Sequence, residues 1–131
     1  MKNILVLLLM TVSIAASAQG VTDTDTIKAP VGDQNYVQSL YSDSLSSSFL
    51  IVIPKEVKAH YHAHHTEQIV VVSGEADMIL GSQLIHIKAG DVIFIPKNTM
   101  HSVTVTSLEP LRVVSVQAPF FDGTDRVMIQ K

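Results

Sequence analysis

Cysteine is absent from the 131-residue chain. That excludes disulfide bonds, thiol nucleophiles, thiolate metal ligands and a lipid-anchored cysteine at a mature N-terminus. Stability must therefore come from packing alone. Basic residues are few and scattered and the formal net charge is −3, so the chain lacks the clustered positive footprint that nucleic acid or anionic lipid requires. No glycine-rich phosphate loop is present. No serine lies in a nucleophile-elbow setting either, although Ser73-Gly74 and Ser46-Ser47-Ser48 invite the comparison; the latter reads as a loop.

Long apolar runs are also missing. The longest, Ile4 to Val12, is broken only by Thr11 and falls short of the about 20 residues that span a bilayer. It follows Lys2 and precedes Ala16-Ser17-Ala18, the small residues that a signal peptidase reads. Residues 1–18 are thus expected to be a cleaved signal peptide, with Gln19 as the mature start and a periplasmic or secreted destination. A membrane anchor or a buried N-terminal strand is the alternative. Residues 19–35, polar and carrying Thr22-Asp23-Thr24-Asp25-Thr26, read as a flexible lead-in. Residues 36–131 form one domain's worth of chain.

Within that domain, short Val- and Ile-rich stretches alternate with Gly, Pro, Ser and Asn signals. Strands are predicted at Phe49–Ile53, Val57–His62, Gln68–Val72, Ala76–Leu80, Gln83–Ile87, Val92–Ile95, His101–Thr106, Leu111–Gln117 and Arg126–Ile129. Tyr36 to Asp43 fits a short helix or an edge strand. Many short antiparallel strands define an all-β sandwich or barrel.

Four of the six histidines crowd into His60-Tyr61-His62-Ala63-His64-His65. His60 and His62 are two apart on a strand, so both side chains leave the same face. Glu67, Ile69 and Val71 share one face of the next strand. His101 heads an inward row with Val103 and Val105. A carboxylate and three imidazoles entering an apolar interior are costly unless they satisfy one another, and a shared divalent transition metal does so. Imidazole plus carboxylate suits iron, manganese, nickel, cobalt, copper or zinc.

These residues resemble the cupin family in both of its motifs. His60-x-His62, four residues, Glu67, six residues and Gly74 follow the first, with Pro54 where a glycine would stand. Gly90, Pro96 and His101 follow the second, with Asn98 replacing a glycine and Val105 an asparagine. The resemblance implies a cupin-type double-stranded β-helix, a small jelly-roll barrel. It further implies one divalent transition metal per chain on His60, His62, Glu67 and His101. Pairing His62 with His64 instead leaves too few residues before Glu67. His64 and His65 read as a polar loop at the barrel mouth, and His86 as a surface or satisfied histidine. Phe94 and Met100 are packing residues or pocket lining. Phe120-Phe121 are expected to cover the mouth or a neighbouring subunit.

By resemblance the chain is an exported metalloenzyme acting on a small organic or sugar-derived substrate by dioxygenase or isomerase chemistry, with Glu67 doubling as a catalytic base. A non-catalytic small-molecule binding module or a structural cupin is the competing reading. Val70 and Val72, opposite Glu67, are apolar on what should be a solvated face. They imply cover by the N-terminal segment or by a second subunit in a homodimer. Nucleic acid is not an expected partner, nor is a membrane once the leader is cleaved.

Overall fold

The computed structural model describes residues 20–129, so the leader assigned to residues 1–18 lies outside the described residues. The strands are β1 Tyr36–Ser42, β2 Ser47–Ile53, β3 Glu56–Tyr61, β4 Thr66–Ser73, β5 Glu75–Leu80, β6 Gln83–Lys88, β7 Val92–Ile95, β8 His101–Val105, β9 Leu111–Ala118 and β10 Val127–Met128. A single 3-10 turn at Thr24–Thr26 is the only helical element among the described residues. The ambiguous Tyr36 stretch is a strand. Ser47 and Ser48 correct the loop reading of the serine run. They open β2, where the Ser47 hydroxyl meets that of Ser42 and accepts from the Phe121 amide.

Two antiparallel five-stranded sheets, ordered β1-β2-β9-β4-β7 and β10-β3-β8-β5-β6, face one another. This is the expected all-β jelly roll. Strand alternation fixes which side chains meet between them. Along β4, Glu67, Ile69 and Val71 are buried while Gln68 is exposed. In register with them on β9 stand Gln117, Ser115 and Val113. Toward one end of the barrel the inward positions are all aliphatic, with Met78 and Leu111 fully buried beside Val71 and Val113. Each such burial contributes about 1.5–3 kcal/mol. Polar inward residues collect at the opposite end. The core thus forms a greasy floor, and the chemistry-bearing residues sit at the mouth.

Turn chemistry locks the register. Gly74 joins β4 to β5 at φ +82°, and an added Cβ would lie 2.9 Å from both the Leu111 Cα and the Pro110 carbonyl. Asn98, standing where a glycine was expected, adopts φ 59°, in the left-handed region that asparagine tolerates best after glycine. Its amide donates to the His62 carbonyl at 2.7 Å, tying the β7–β8 turn to the histidine segment.

The outer face of the first sheet is covered in part by the N-terminal segment. Arg112 donates to the Thr24 carbonyl at 2.6 Å and also reaches that of Ile27, while Thr22 bonds the Tyr41 hydroxyl. Farther along, Val92 and Phe94 of edge strand β7 stay 59% and 60% exposed beside half-buried Val70. Phe94 therefore neither lines the pocket nor packs in the core, correcting both readings.

Candidate metal centre

Three strands bring the four expected ligands together. His60 is the penultimate residue of β3, His101 begins β8 as its register partner, and Glu67 lies near the start of β4. His62 follows β3 by one residue. All four side chains are buried at the mouth end of the barrel. One ring nitrogen from each of His60, His62 and His101 lies within 4.8 Å of the others. Glu67 Oε2 stands 3.3 Å from His101 Nε2 and 3.5 Å from His62 Nε2.

The outer ring nitrogens determine what the inner ones can do. His60 Nδ1 donates to the Lys58 carbonyl at 2.8 Å and His101 Nδ1 to the Thr99 carbonyl at 3.0 Å. His62 Nδ1 donates to the Asp125 carbonyl. A carbonyl can only accept, so each Nδ1 carries a proton, and Nε2 is the atom that each ring turns inward and that offers a lone pair in the neutral form. Second partners of this kind orient metal-binding histidines. His62 Nε2 is buried with no hydrogen-bond partner.

Electrostatics favour the neutral ring at His60 and the charged ring at His62. Burial, helped by the charges of His101 and Arg126, lowers the His60 pKa to about 4. Burial also pulls on His62, but the facing Glu67 carboxylate and the Asp125 carbonyl outweigh it and raise its pKa. For Glu67, burial favours the neutral acid. Interactions with His101, His62 and Ser115 overcome it and hold the carboxyl well below its usual range. Ser115 Oγ donates to Glu67 Oε1 at 2.5 Å. An ionised carboxylate thus faces inward-turned imidazole nitrogens in a buried cleft, where positive charge, as a proton or a metal ion between them, offsets its burial. The nitrogen and oxygen donors suit a divalent transition ion, and the residues present fit one.

Phe120-Phe121 mark the C-terminal segment in the sequence, but Asp125, which braces this site, is not marked there. The Asp125 carboxylate accepts from the Ala63 and His64 amides at 2.9 and 2.8 Å and meets His65 Nδ1 at 2.5 Å. Burial raises its pKa, but those bonds, led by His65, hold it well below the usual carboxylate range. His65 Nε2 also meets the Phe120 carbonyl. His65 is therefore a buried strut rather than part of a solvated loop; only His64 is exposed. Phe121 stands edge-on to His62 at 5.6 Å and to His65 at 5.0 Å, so it covers the mouth, whereas Phe120 is half exposed. His86 lies far from the centre, paired with Asp77 and Glu75 on the surface.

Behind these four side chains lies a cavity of about 150 Å³, whose other walls include Ile51, Val57, Ile69, Val103, Gln117 and Phe121. A wider groove of about 930 Å³ between the lead-in and the strand ends touches none of the four.

Three buried histidines whose ring nitrogens converge in a double-stranded β-helix form a cluster that could hold a metal ion. The Cupin_2 model of the cupin domain matches residues 49–117, and the chain belongs to that family. It is 33% identical over 84 residues to an uncharacterized protein of Aquifex aeolicus, a match spanning 64% of this chain and 69% of that one. It is 28% identical over 99 residues to the quercetin 2,3-dioxygenase of Bacillus subtilis, covering 69% of this chain but only 29% of the dioxygenase. Among solved structures, a Klebsiella pneumoniae protein with a double-stranded β-helix domain superposes with a TM-score of 0.72 at 25% identity. That match covers 85% of this chain and 97% of the other.

Proposed function

We propose that this chain is an exported, metal-dependent enzyme that acts on a small organic or sugar-derived substrate by dioxygenase or isomerase chemistry. One observation carries the reading: three histidine ring nitrogens and an ionised carboxylate converge at the edge of a largely apolar cavity. Resemblance to a dioxygenase at low identity supports the reaction class, and the leader-like residues 1–18 support export. A bound divalent metal supplies Lewis acidity that polarises an oxygen of the substrate.

The chain's own residues do the rest. His60, His62 and His101, each fixed by a backbone carbonyl, hold the metal in one place. Glu67 is placed to act as a general base once it is released from the histidines that hold its pKa down, with Ser115 orienting its other oxygen. Phe121 and the aliphatic walls exclude water. The test is a turnover screen of metal-loaded protein against small hydroxy acids, sugar acids and phenols. Glu67→Gln is expected to abolish turnover while keeping most of the metal; equal losses of both would refute the role of base.

A homodimer is part of the proposal. Val92 and Phe94 leave an apolar strip along the unpaired edge of β7, where a second copy finds both backbone partners and side-chain cover. Light scattering at micromolar concentration should give twice the chain mass, and Phe94→Lys should give the monomer. A monomeric wild type would overturn it.

A further inference from the structure

Gln117 sits on β9 directly opposite Glu67 and is 5% exposed. Its Nε2 faces Glu67 Oε1 at 3.5 Å, and since an ionised carboxylate can only accept, the amide is held with its nitrogen on that side. That leaves Gln117 Oε1 pointing elsewhere, buried and with no hydrogen-bond partner. Buried acceptors without partners are rare, and each costs as much as a lost hydrogen bond. Gln117 also lines the cavity beside the metal ligands. A donor arriving with a ligand would satisfy it.

The cavity's size and lining narrow that ligand further. About 150 Å³ is the volume that holds a single benzene-sized body in an aliphatic site. Ile51, Val57, Ile69 and Val103 offer no hydrogen bonds, so a polyhydroxylated body would strand most of its hydroxyls. At the rim Arg126 is the only cationic side chain lining the cavity besides the histidines, and among the described residues it makes no ion pair. Its guanidinium suits a carboxylate.

We propose that the substrate is a single-ring, or similarly compact, hydrophobic carboxylic acid bearing one hydrogen-bond donor that Gln117 Oε1 accepts. Fused-ring and sugar-acid bodies are excluded. The inference rests on the cavity being the substrate site of the proposed enzyme and narrows its substrate class.

The test is calorimetric titration of full-length, zinc-loaded protein, zinc being redox-inert, with metal content measured on the same samples. The probes are the three hydroxybenzoate isomers, their methyl ethers, the matching hydroxybenzyl alcohols, 6-hydroxy-2-naphthoate and gluconate. At least one hydroxybenzoate should bind, about tenfold more tightly than its methyl ether, and more tightly than the naphthoate and gluconate. Gln117→Leu should erase the hydroxyl-to-methoxy difference, and Arg126→Gln should erase the preference for carboxylate over alcohol. Gluconate or naphthoate binding as tightly, no hydroxybenzoate binding, or an undiminished hydroxyl preference in Gln117→Leu would overturn the inference. If Gln117→Leu misfolds, the wild-type probe series decides alone. Stoichiometric zinc without probe binding sinks this inference and leaves the metal centre intact. Failure to load zinc sinks the proposed enzyme, and titration of the metal-free protein then judges the cavity by itself.

Discussion

His60 and His101 are register partners across β3 and β8, with ring centroids 4.2 Å apart and planes tilted by 56°. Both rings spend Nδ1 on a backbone carbonyl, so their two Nε2 atoms share a small buried space, where lone pairs of neutral rings would face each other. Adjacent lone pairs repel, and the backbone bonds keep the rings from turning away. A cation relieves that opposition.

The first prediction is that a divalent transition metal stabilises the fold. At a hundred times its Kd, such an ion should add about 2.7 kcal/mol to unfolding. Denaturant melts with and without zinc should show the gain, and EDTA should reverse it. An unchanged midpoint would contradict the convergence of the ligands on one ion.

Asp125→Ala should weaken metal binding by about tenfold or more while leaving every ligand in place. The aspartate fixes the segment whose carbonyl holds His62 and whose carboxylate holds the Ala63 and His64 amides. Chelator competition reads the affinity. Amide exchange at Ala63 and His64 should quicken in the same variant, and unaltered exchange would show that the carboxylate is not the brace.

Ser115→Ala removes the short hydrogen bond to a buried carboxylate and should cost about 1.5–3 kcal/mol of stability in the metal-free protein. Denaturant titration measures it. A loss below about 0.5 kcal/mol would mean Glu67 does not depend on the serine.

Gly74→Ala should be among the most damaging single changes outside the site. Its Cβ would press on backbone rather than on a flexible side chain, at a positive φ besides. Losses above about 2 kcal/mol are expected. Near-wild-type melting would show that the β4–β5 turn relaxes freely.

His86 should titrate above its ordinary 6.5, because its bond to Asp77 favours the charged ring most, and Glu75 adds to it against the opposing effect of desolvation. A raised folded value means that its stabilisation is complete below 6.5 and fades as pH climbs through that folded value. An NMR titration should show the raised midpoint falling in Asp77→Asn; identical midpoints would remove the pairing.

Much of this architecture is legible in the chain because its causes are local. Period-two alternation along Glu67–Val71 and His101–Val105 exposes the inward rows, and the spacing of the two motifs then finds the four side chains that meet at the mouth. Asn98 is legible for the same reason, since its short amide suits a positive φ. Long-range contacts leave no such trace. Asp125 lies 63 residues from His62, and nothing in its neighbourhood marks it as the brace. His65 reads as loop until Asp125 and Phe120 close over it. Gln117 looks like the polar end of a strand; its significance appears only when β9 places it across from Glu67. Phe94 misleads in the other direction, since an apolar residue on an edge strand looks inward until register fixes its face.

Elemental analysis of protein purified without a metal-affinity step tests the central claim most directly. The account predicts one divalent transition ion per chain in the wild type and its loss after dialysis in His101→Ala. No bound metal in a folded wild type that also fails to take up iron, manganese, nickel, cobalt, copper or zinc would contradict it.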